Sequence, residues 1–351
     1  MRSRESAPYA LVTGGAGFLG ELLKLRLLDR GVPCVSVDLQ PYDTRHPLLT
    51  SVRGDIRDAS VIEPLFSRYR FDCIYHCAAI LAHAAADRDF LWSCNVDGTA
   101  KIADLAKRYQ VPKIVFISSN CLWADPFNRS VTEEDRPSPR EIYGLSKWEA
   151  ENVLLSERGG SRVVILRTPT IIGEGRLGLL SILFEFILEG RRVWVVGSGE
   201  NRYQFIYAPD LVEACLRAAE ADVEGIFNVG SDDVGTLRET YEAVIDRAGT
   251  RARVASLPPW PTLPLMRAVY ALGLSPLGPY QYRMIAESFV FDTTKIKRTL
   301  GWAPTKTNGE MLFEAFDYYR RHKAEIEART SVSAHKQAAP MGVIRLLKWM
   351  S

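Results

Sequence analysis

Tyr143 and Lys147 stand in the run Y-G-L-S-K, and a spacing of four puts both side chains on one helical face. A phenol with an ordinary pKa of about 10 is a poor base at neutral pH. A neighbouring ammonium favours the phenolate and brings it into range for moving a proton. Upstream, Ser119 offers a hydroxyl and Cys121 a thiol, at the end of an apolar run. An exposed tyrosine and lysine on a surface helix have the same spacing, so the surroundings must decide.

Those surroundings include a phosphate-binding pattern. T-G-G-A-G-F-L-G spans Thr13 to Gly20, directly after an apolar run and at the start of a helical one. Gly14 permits a tight turn, Gly17 lets backbone approach a pyrophosphate, and Gly20 lets the helix pack closely. Phe18 and Leu19 then open a helix whose N-terminus faces phosphate charge. Asp38 ends the next strand-like run, where a carboxylate accepts from ribose hydroxyls. It would also repel a 2′-phosphate, and Arg45 lies several residues further on, so the expected cofactor is NAD rather than NADP. A plain strand-to-helix turn without a ligand is the alternative.

The elements that would hold these groups alternate along the chain. Tyr9–Thr13, Cys34–Asp38, Cys73–His76, Ile114–Ser118 and Val163–Arg167 read as buried parallel strands, with helical segments such as Asp87–Gln110 between them. That alternation predicts an α/β fold, a Rossmann doubly wound parallel sheet whose ligands sit at the carboxyl ends of the strands. Residues 1–168 form this cofactor half. Residues 169–327 mix helices (Leu177–Leu188, Pro209–Ala219, Leu237–Ala248) with short strands (Val193–Val196, Ile226–Val229). They read as a smaller α/β substrate-binding cap interleaved with the last sheet strands. Residues 328–351 read as a linker and a short basic amphipathic helix.

TGGAGFLG, VSVDL, GDIRD (Gly54–Asp58), HCAA (His76–Ala79), N-x-x-G-T (Asn95–Thr99), ISSN (Ile117–Asn120), YGLSK, FNVG (Phe227–Gly230) and LGWAP (Leu300–Pro304) follow one another in order. In this the chain resembles the extended short-chain dehydrogenases/reductases, the NAD-dependent sugar epimerase/dehydratase family, from about Tyr9 to Tyr319. The resemblance implies that Ser119 hydrogen-bonds the reacting oxygen, Tyr143 moves its proton, and Lys147 holds the ribose and tunes Tyr143. It also implies that Asp55 and Ile56 meet the adenine side, and that Ala78, Ala79 and Asn95 line the dinucleotide. In the family a hydride leaves a carbinol carbon for the nicotinamide, and in epimerases it returns.

Particular residues narrow the reaction. Family 4,6-dehydratases carry an Asp-Glu pair after the catalytic hydroxyl; here Asn120 and Cys121 stand there, which disfavours dehydration. Ser119 to Trp123 instead resembles the segment of GDP-mannose 3,5-epimerase and GDP-fucose synthase in which the cysteine exchanges a proton. Cys121 would do so with its pKa lowered by nearby positive charge; the alternative is a buried small hydrophobe. The partner acid of those relatives is absent from Thr170–Leu180, where only Arg176 stands, and an arginine is a poor proton donor. Thr170 replaces the asparagine that usually meets a diphosphate, and Arg202 is displaced by one from the usual arginine. Arg202 and Arg283 either fork onto a diphosphate or form surface ion pairs. The expectation is an NAD-dependent epimerase of a nucleotide-activated or lipid-linked sugar. The rival is a net dehydrogenase of an apolar alcohol, resembling the 3β-hydroxysteroid dehydrogenase branch, suggested by the apolar stretch Leu257–Tyr280. A protein that binds the dinucleotide without catalysis is disfavoured by the intact Ser119, Tyr143 and Lys147.

The bulk numbers bound the rest. The chain has 351 residues and a net charge of +2 from 44 basic and 42 acidic side chains, so nothing points to nucleic acid. The six cysteines show no paired metal spacing, and no metal is expected; buried thiols in a reducing compartment account for most of them. No secretory signal and no spanning apolar run are visible, which predicts a cytoplasmic protein. In Met341–Ser351, Val343, Ile344, Leu347 and Met350 share a helical face, with Arg345 and Lys348 elsewhere. That tail either docks on its own domain or touches an anionic membrane face. Helices around Trp92 and Trp148 would supply a homodimer contact.

Overall fold

The computed structural model describes residues 8–41, 44–81, 87–157, 159–272 and 279–327, with the side chains of 279–281 and 283 left aside. The tail 328–351, Leu274, Leu277 and the Arg283 side chain therefore lie outside the described residues.

The strands of the first half are β1 (Tyr9–Thr13), β2 (Cys34–Asp38), β3 (Leu49–Arg53), β4 (Phe71–His76), β5 (Lys113–Ser119) and β6 (Arg162–Thr168). The cap region adds β7 (Thr170–Ile172), β8 (Arg192–Val196), β9 (Phe205–Tyr207), β10 (Gly225–Asn228) and β11 (Arg253–Leu257). Seven of them form a sheet in the order β3-β2-β1-β4-β5-β6-β10, and every pairing in it is parallel. The central strands are apolar on both faces because helices cover both. Strand order reverses between β1 and β4, so a crevice opens at their carboxyl ends.

Helices α1 (Phe18–Asp29), α2 (Ala59–Arg68), α3 (Arg88–Trp92), α4 (Gly98–Arg108) and α5 (Ile142–Glu157) belong to the first half. After them come α6 (Leu180–Leu188), α7 (Ala208–Glu220), α8 (Leu237–Ala248), α9 (Pro259–Ala271), α10 (Pro279–Ala286), α11 (Thr294–Leu300) and α12 (Asn308–Glu327). One sheet face packs α1, α7 and α11 through Leu23, Leu27, Leu211, Leu216 and Ile296. The other packs α2, α4 and α5 through Ile62, Phe66, Ile102 and Leu154. A third core gathers α6, α8 and α12 around Phe184, Val244 and Phe316. Two further parallel pairs, β7 with β9 and β8 with β11, lie outside the main sheet.

The long segment expected to be helical over Asp87–Gln110 is broken. A π-turn at Ser93–Asp97 joins α3 to α4, and such a bulge re-aims side chains near functional sites. Strands β3, β7, β9 and β11 were not anticipated. β7 and β9 have three residues each, and the half-exposed β3 and β11 lack an apolar run.

Candidate active site

The glycine turn comes first along the chain. Gly14 has φ +73°, and a Cβ there would lie 2.7 Å from the Ala78 nitrogen, so only glycine fits between β1 and the loop after β4. Gly17 is the N-cap of α1 and no side chain caps that end, which leaves the first-turn N–H groups facing the crevice. Gly20 sits a turn later over the Gly14 carbonyl. Asp38 closes the turn: Oδ2 accepts from the Ala16 N–H at 2.9 Å and Oδ1 from the Gln40 N–H at 2.8 Å. The Leu19 side chain is buried in the apolar core beside Leu23, so only its backbone can meet a phosphate. Phe18 is buried too, with its ring against Gly173 and the Arg176 guanidinium 5.7 Å from the ring centroid. The cofactor-side turn is thereby joined to the cap.

In the loop after β3, Asp55 is clasped by Arg57. The Arg57 Nε donates to both carboxylate oxygens at 3.0 Å, Nη2 donates to Oδ2 at 2.6 Å, and the backbone N–H donates to Oδ1 at 2.9 Å. These bonds hold the Asp55 carboxyl below its usual range. Arg57 also donates to Ser93 Oγ in the π-turn and stacks over Phe90. Ile56 is buried against Gly98, Ala78 is half-buried and Ala79 is exposed. Asn95 is 2 % exposed and spends its amide on protein: Oδ1 accepts from the Ile80 N–H, and Nδ2 donates to the Ile80 carbonyl and to Ser146 Oγ. Asn95 thereby braces the loop at Ile80 against Ser146 of α5.

Ser119 ends β5, where the strand order points to a site, and its hydroxyl lies near enough to that of Tyr143 to favour the phenolate. Its Oγ also accepts from the Cys121 N–H at 3.1 Å, which fixes the short turn Asn120–Leu122. Tyr143 begins α5, and burial pushes its phenol well above the ordinary tyrosine value; nearby Cys121 adds to the rise, while Arg176 and then the Ser119 hydroxyl oppose it. Lys147 lies one turn further on, 3 % exposed, with Nζ 3.9 Å from the centre of the Phe116 ring. Burial lowers its pKa to about 7, with Glu151 and then Cys77 opposing the fall. Ser119, Cys121 and Tyr143 thus fall together, with the Arg176 charge acting on the phenol. Asn120 is buried, donating to the Tyr203 hydroxyl at 2.7 Å. Thr170 is half-buried on β7, level with Phe205 of β9. Arg202 is exposed and lines a cleft of about 680 Å³ with Phe127, Asp232 and Glu287, and none of Ser119, Tyr143 and Lys147 borders that cleft.

The depressed amine makes stability depend on pH. Lys147 accepts its proton less readily folded than unfolded, so between about pH 7 and the ordinary lysine value the unfolded chain binds more protons. The penalty is complete below pH 7, and stability rises with pH through that window. Thermal melts at pH 7 and pH 9 are expected to show this rise, and Lys147→Met should flatten it; an equal slope in the variant would assign the effect to other groups.

Gly144 is a site residue that the motif did not identify. A Cβ there would stand 2.2 Å from the Cys121 carbonyl oxygen, so only glycine lets α5 press on the Ser119 turn. Displacing reacting groups by about 1 Å can cost on the order of a hundredfold in rate. Gly144→Val should lower kcat by about that factor while NAD binding, read by titration, stays near wild type; unchanged kcat would mean the turn yields freely.

Among the described residues no group of His, Cys, Asp or Glu is arranged to hold a metal ion, and no described helix is long and apolar enough to cross a membrane. The uncapped helix end, the glycine turn and the Asp38 carboxylate do suit a dinucleotide. Comparison with known proteins agrees. The chain is 35% identical to the uncharacterised protein y4nG of Sinorhizobium fredii, across 97% of this chain and 85% of that one. It is 28% identical to the probable UDP-arabinose 4-epimerase 3 of Arabidopsis thaliana, across 92% and 83%. Its fold superposes on the Bordetella bronchiseptica enzyme WbmG, solved with NAD and UDP, with a TM-score of 0.75 at 20% identity, covering 90% of this chain and 96% of that one. The family model for NAD-dependent epimerases/dehydratases matches residues 10–230, the stretch that carries the glycine turn, Asp38, Ser119, Tyr143 and Lys147. An enzyme that uses NAD, this chain belongs to the NAD-dependent epimerase/dehydratase family.

Proposed function

We propose that the protein is an NAD-dependent epimerase of a nucleotide-activated or lipid-linked sugar. The observation that carries this reading is the placing of Ser119 at the carboxyl end of β5 with its hydroxyl near enough to that of Tyr143, like the Arg176 charge, to favour the phenolate. Gly14, Gly17, Gly20 and Asp38 would hold NAD, with Ile56 and Ala78 beside it and Lys147 toward the ribose. Bound there, NAD supplies a hydride acceptor that lets one carbinol carbon pass through a ketone and back. Ser119 orients the sugar hydroxyl, and Tyr143 takes its proton and later returns it. Arg176, whose charge favours the Tyr143 phenolate, also suits a diphosphate. Cys121, in the turn that packs against Gly144 beside Tyr143, would exchange a proton at carbon next to the ketone. The UDP-sugar relatives support a nucleotide-linked substrate.

Purified protein offered a panel of UDP-hexoses and UDP-pentoses should convert one of them to its epimer with no net change in nicotinamide absorbance. Stoichiometric NADH formation would overturn the reading in favour of a net dehydrogenase. Solvent deuterium appearing in the product, and lost in Cys121→Ala, would add the cysteine to the chemistry. A cytoplasmic homodimer belongs to the same proposal and is open to light scattering.

A further inference from the structure

His76 ends β4 with no exposed surface, its ring stacked on Phe116 with centroids 5.4 Å apart. Both ring nitrogens are bonded: Nδ1 lies 2.7 Å from Thr13 Oγ1, and Nε2 lies 2.8 Å from Thr99 Oγ1. The neighbouring bonds fix where the protons sit. The one hydroxyl proton of Thr99 goes to the Asn95 carbonyl at 2.6 Å, so toward the ring Thr99 can only accept. Nε2 therefore carries the ring proton and donates. Nδ1 accepts from the Thr13 hydroxyl, and Thr13 Oγ1 in turn accepts from the Ala78 N–H at 3.3 Å. Every donor in this line points the same way.

The line has two ends. One is Ala78, whose backbone presses on the Gly14 turn. The other runs on from Asn95 through its Nδ2, which donates to Ser146 Oγ at 3.0 Å, and the Ser146 hydroxyl donates to the Tyr143 carbonyl at 2.9 Å. We propose that His76 is a positioning residue: a neutral, Nε2-protonated imidazole that sets the Ala78 loop on the cofactor side and the Tyr143 turn of α5 in one register. Burial, then the Lys147 charge, lowers the imidazole pKa to about 3, so the ring stays neutral at physiological pH. The cofactor end needs only the NAD site; the Tyr143 end rests on the proposed function.

The two ends can be cut separately. An asparagine at this position reaches about as far as Nδ1, and a glutamine about as far as Nε2. His76→Asn should keep the Thr13–Ala78 end, leaving NAD affinity within about threefold of wild type while kcat falls about tenfold, the worth of a lost hydrogen bond. His76→Gln should do the reverse, with NAD affinity falling about tenfold and kcat near wild type. NAD affinity is read by tryptophan fluorescence titration, and kcat on the substrate found by the panel. If either variant fails to fold, Thr13→Val and Thr99→Val cut the same two ends. Nitrogen-15 NMR of the NAD-bound protein, which has five histidines to assign, should find His76 with Nε2 protonated. An Nδ1-protonated ring, or variants that lose affinity and rate together, would overturn the proposal. If Tyr143→Phe turned over normally, the catalytic reading alone would fall, because tautomer and NAD affinity still judge the His76 line.

Discussion

Replacing Tyr143 with phenylalanine is expected to lower kcat about a thousandfold while the protein folds normally and binds NAD as before. The ring stays and only the hydroxyl goes, so packing at the start of α5 is kept. What is lost is a proton carrier, and a positioned acid–base group contributes typically about a hundred- to ten-thousandfold. The Tyr143 hydroxyl has Ser119 near it and sits where burial disfavours its charge. Its work therefore depends on the groups that favour the phenolate, Arg176 and then Ser119. Ser119→Ala should cost nearly as much, and the double variant little more than either, because groups that act as a unit do not add. Single-turnover measurements with NAD bound would check this; a Tyr143→Phe enzyme within tenfold of wild type would remove the tyrosine from the chemistry.

The largest loss of stability should come from Glu151→Ala. Glu151 on α5 and Arg167 on β6 form an ion pair whose side chains are 2 % and 3 % exposed. Arg167 Nη2 donates to Glu151 Oε2 at 2.7 Å, Nε reaches both oxygens, and Nη1 donates to the Glu133 carbonyl. The guanidinium also lies 5.1 Å from the centre of the Trp123 ring. Without the carboxylate, a buried charge is left unmatched, at a cost of about 3–5 kcal/mol. Urea unfolding would measure it, and Glu151→Leu with Arg167→Met should recover much of the loss because no orphan charge remains. Activity should not recover with it. The Glu151 charge is what opposes the fall of the Lys147 pKa, so without it less of Lys147 is charged at neutral pH. Recovery of both stability and kcat in the double variant would rule out that electrostatic support.

The buried strands were plain in the residues. β1, β2 and α8 lie where apolar runs and periodicity put them, because their ends are marked by glycine, by proline or by Thr236, whose capping box with Glu239 starts α8. Short strands outside the apolar runs escaped, since three residues such as Phe205–Tyr207 carry no period. The glycine turn, Asp38, Ser119, Tyr143 and Lys147 were legible as types at spacings. Gly144, His76 and Glu151 were not, although each lies inside or beside a quoted motif. Their parts depend on what stands across the fold: a carbonyl 2.2 Å from a missing Cβ, two threonines from distant strand and helix, an arginine on the next strand. Arg202, read as a phosphate ligand from its place in the chain, lines a cleft with Phe127, Asp232 and Glu287.

After β6 the chain leaves the main sheet for β7 to β9, returns with α7 and β10, leaves again through α8 to α10, and comes back once more at α11 before α12. A lobe threaded in this way cannot swing on one hinge or be exchanged as a cassette. Change that leaves the threading intact falls on surface elements such as α9, which buries none of its residues, while the returning segments stay bound to the sheet.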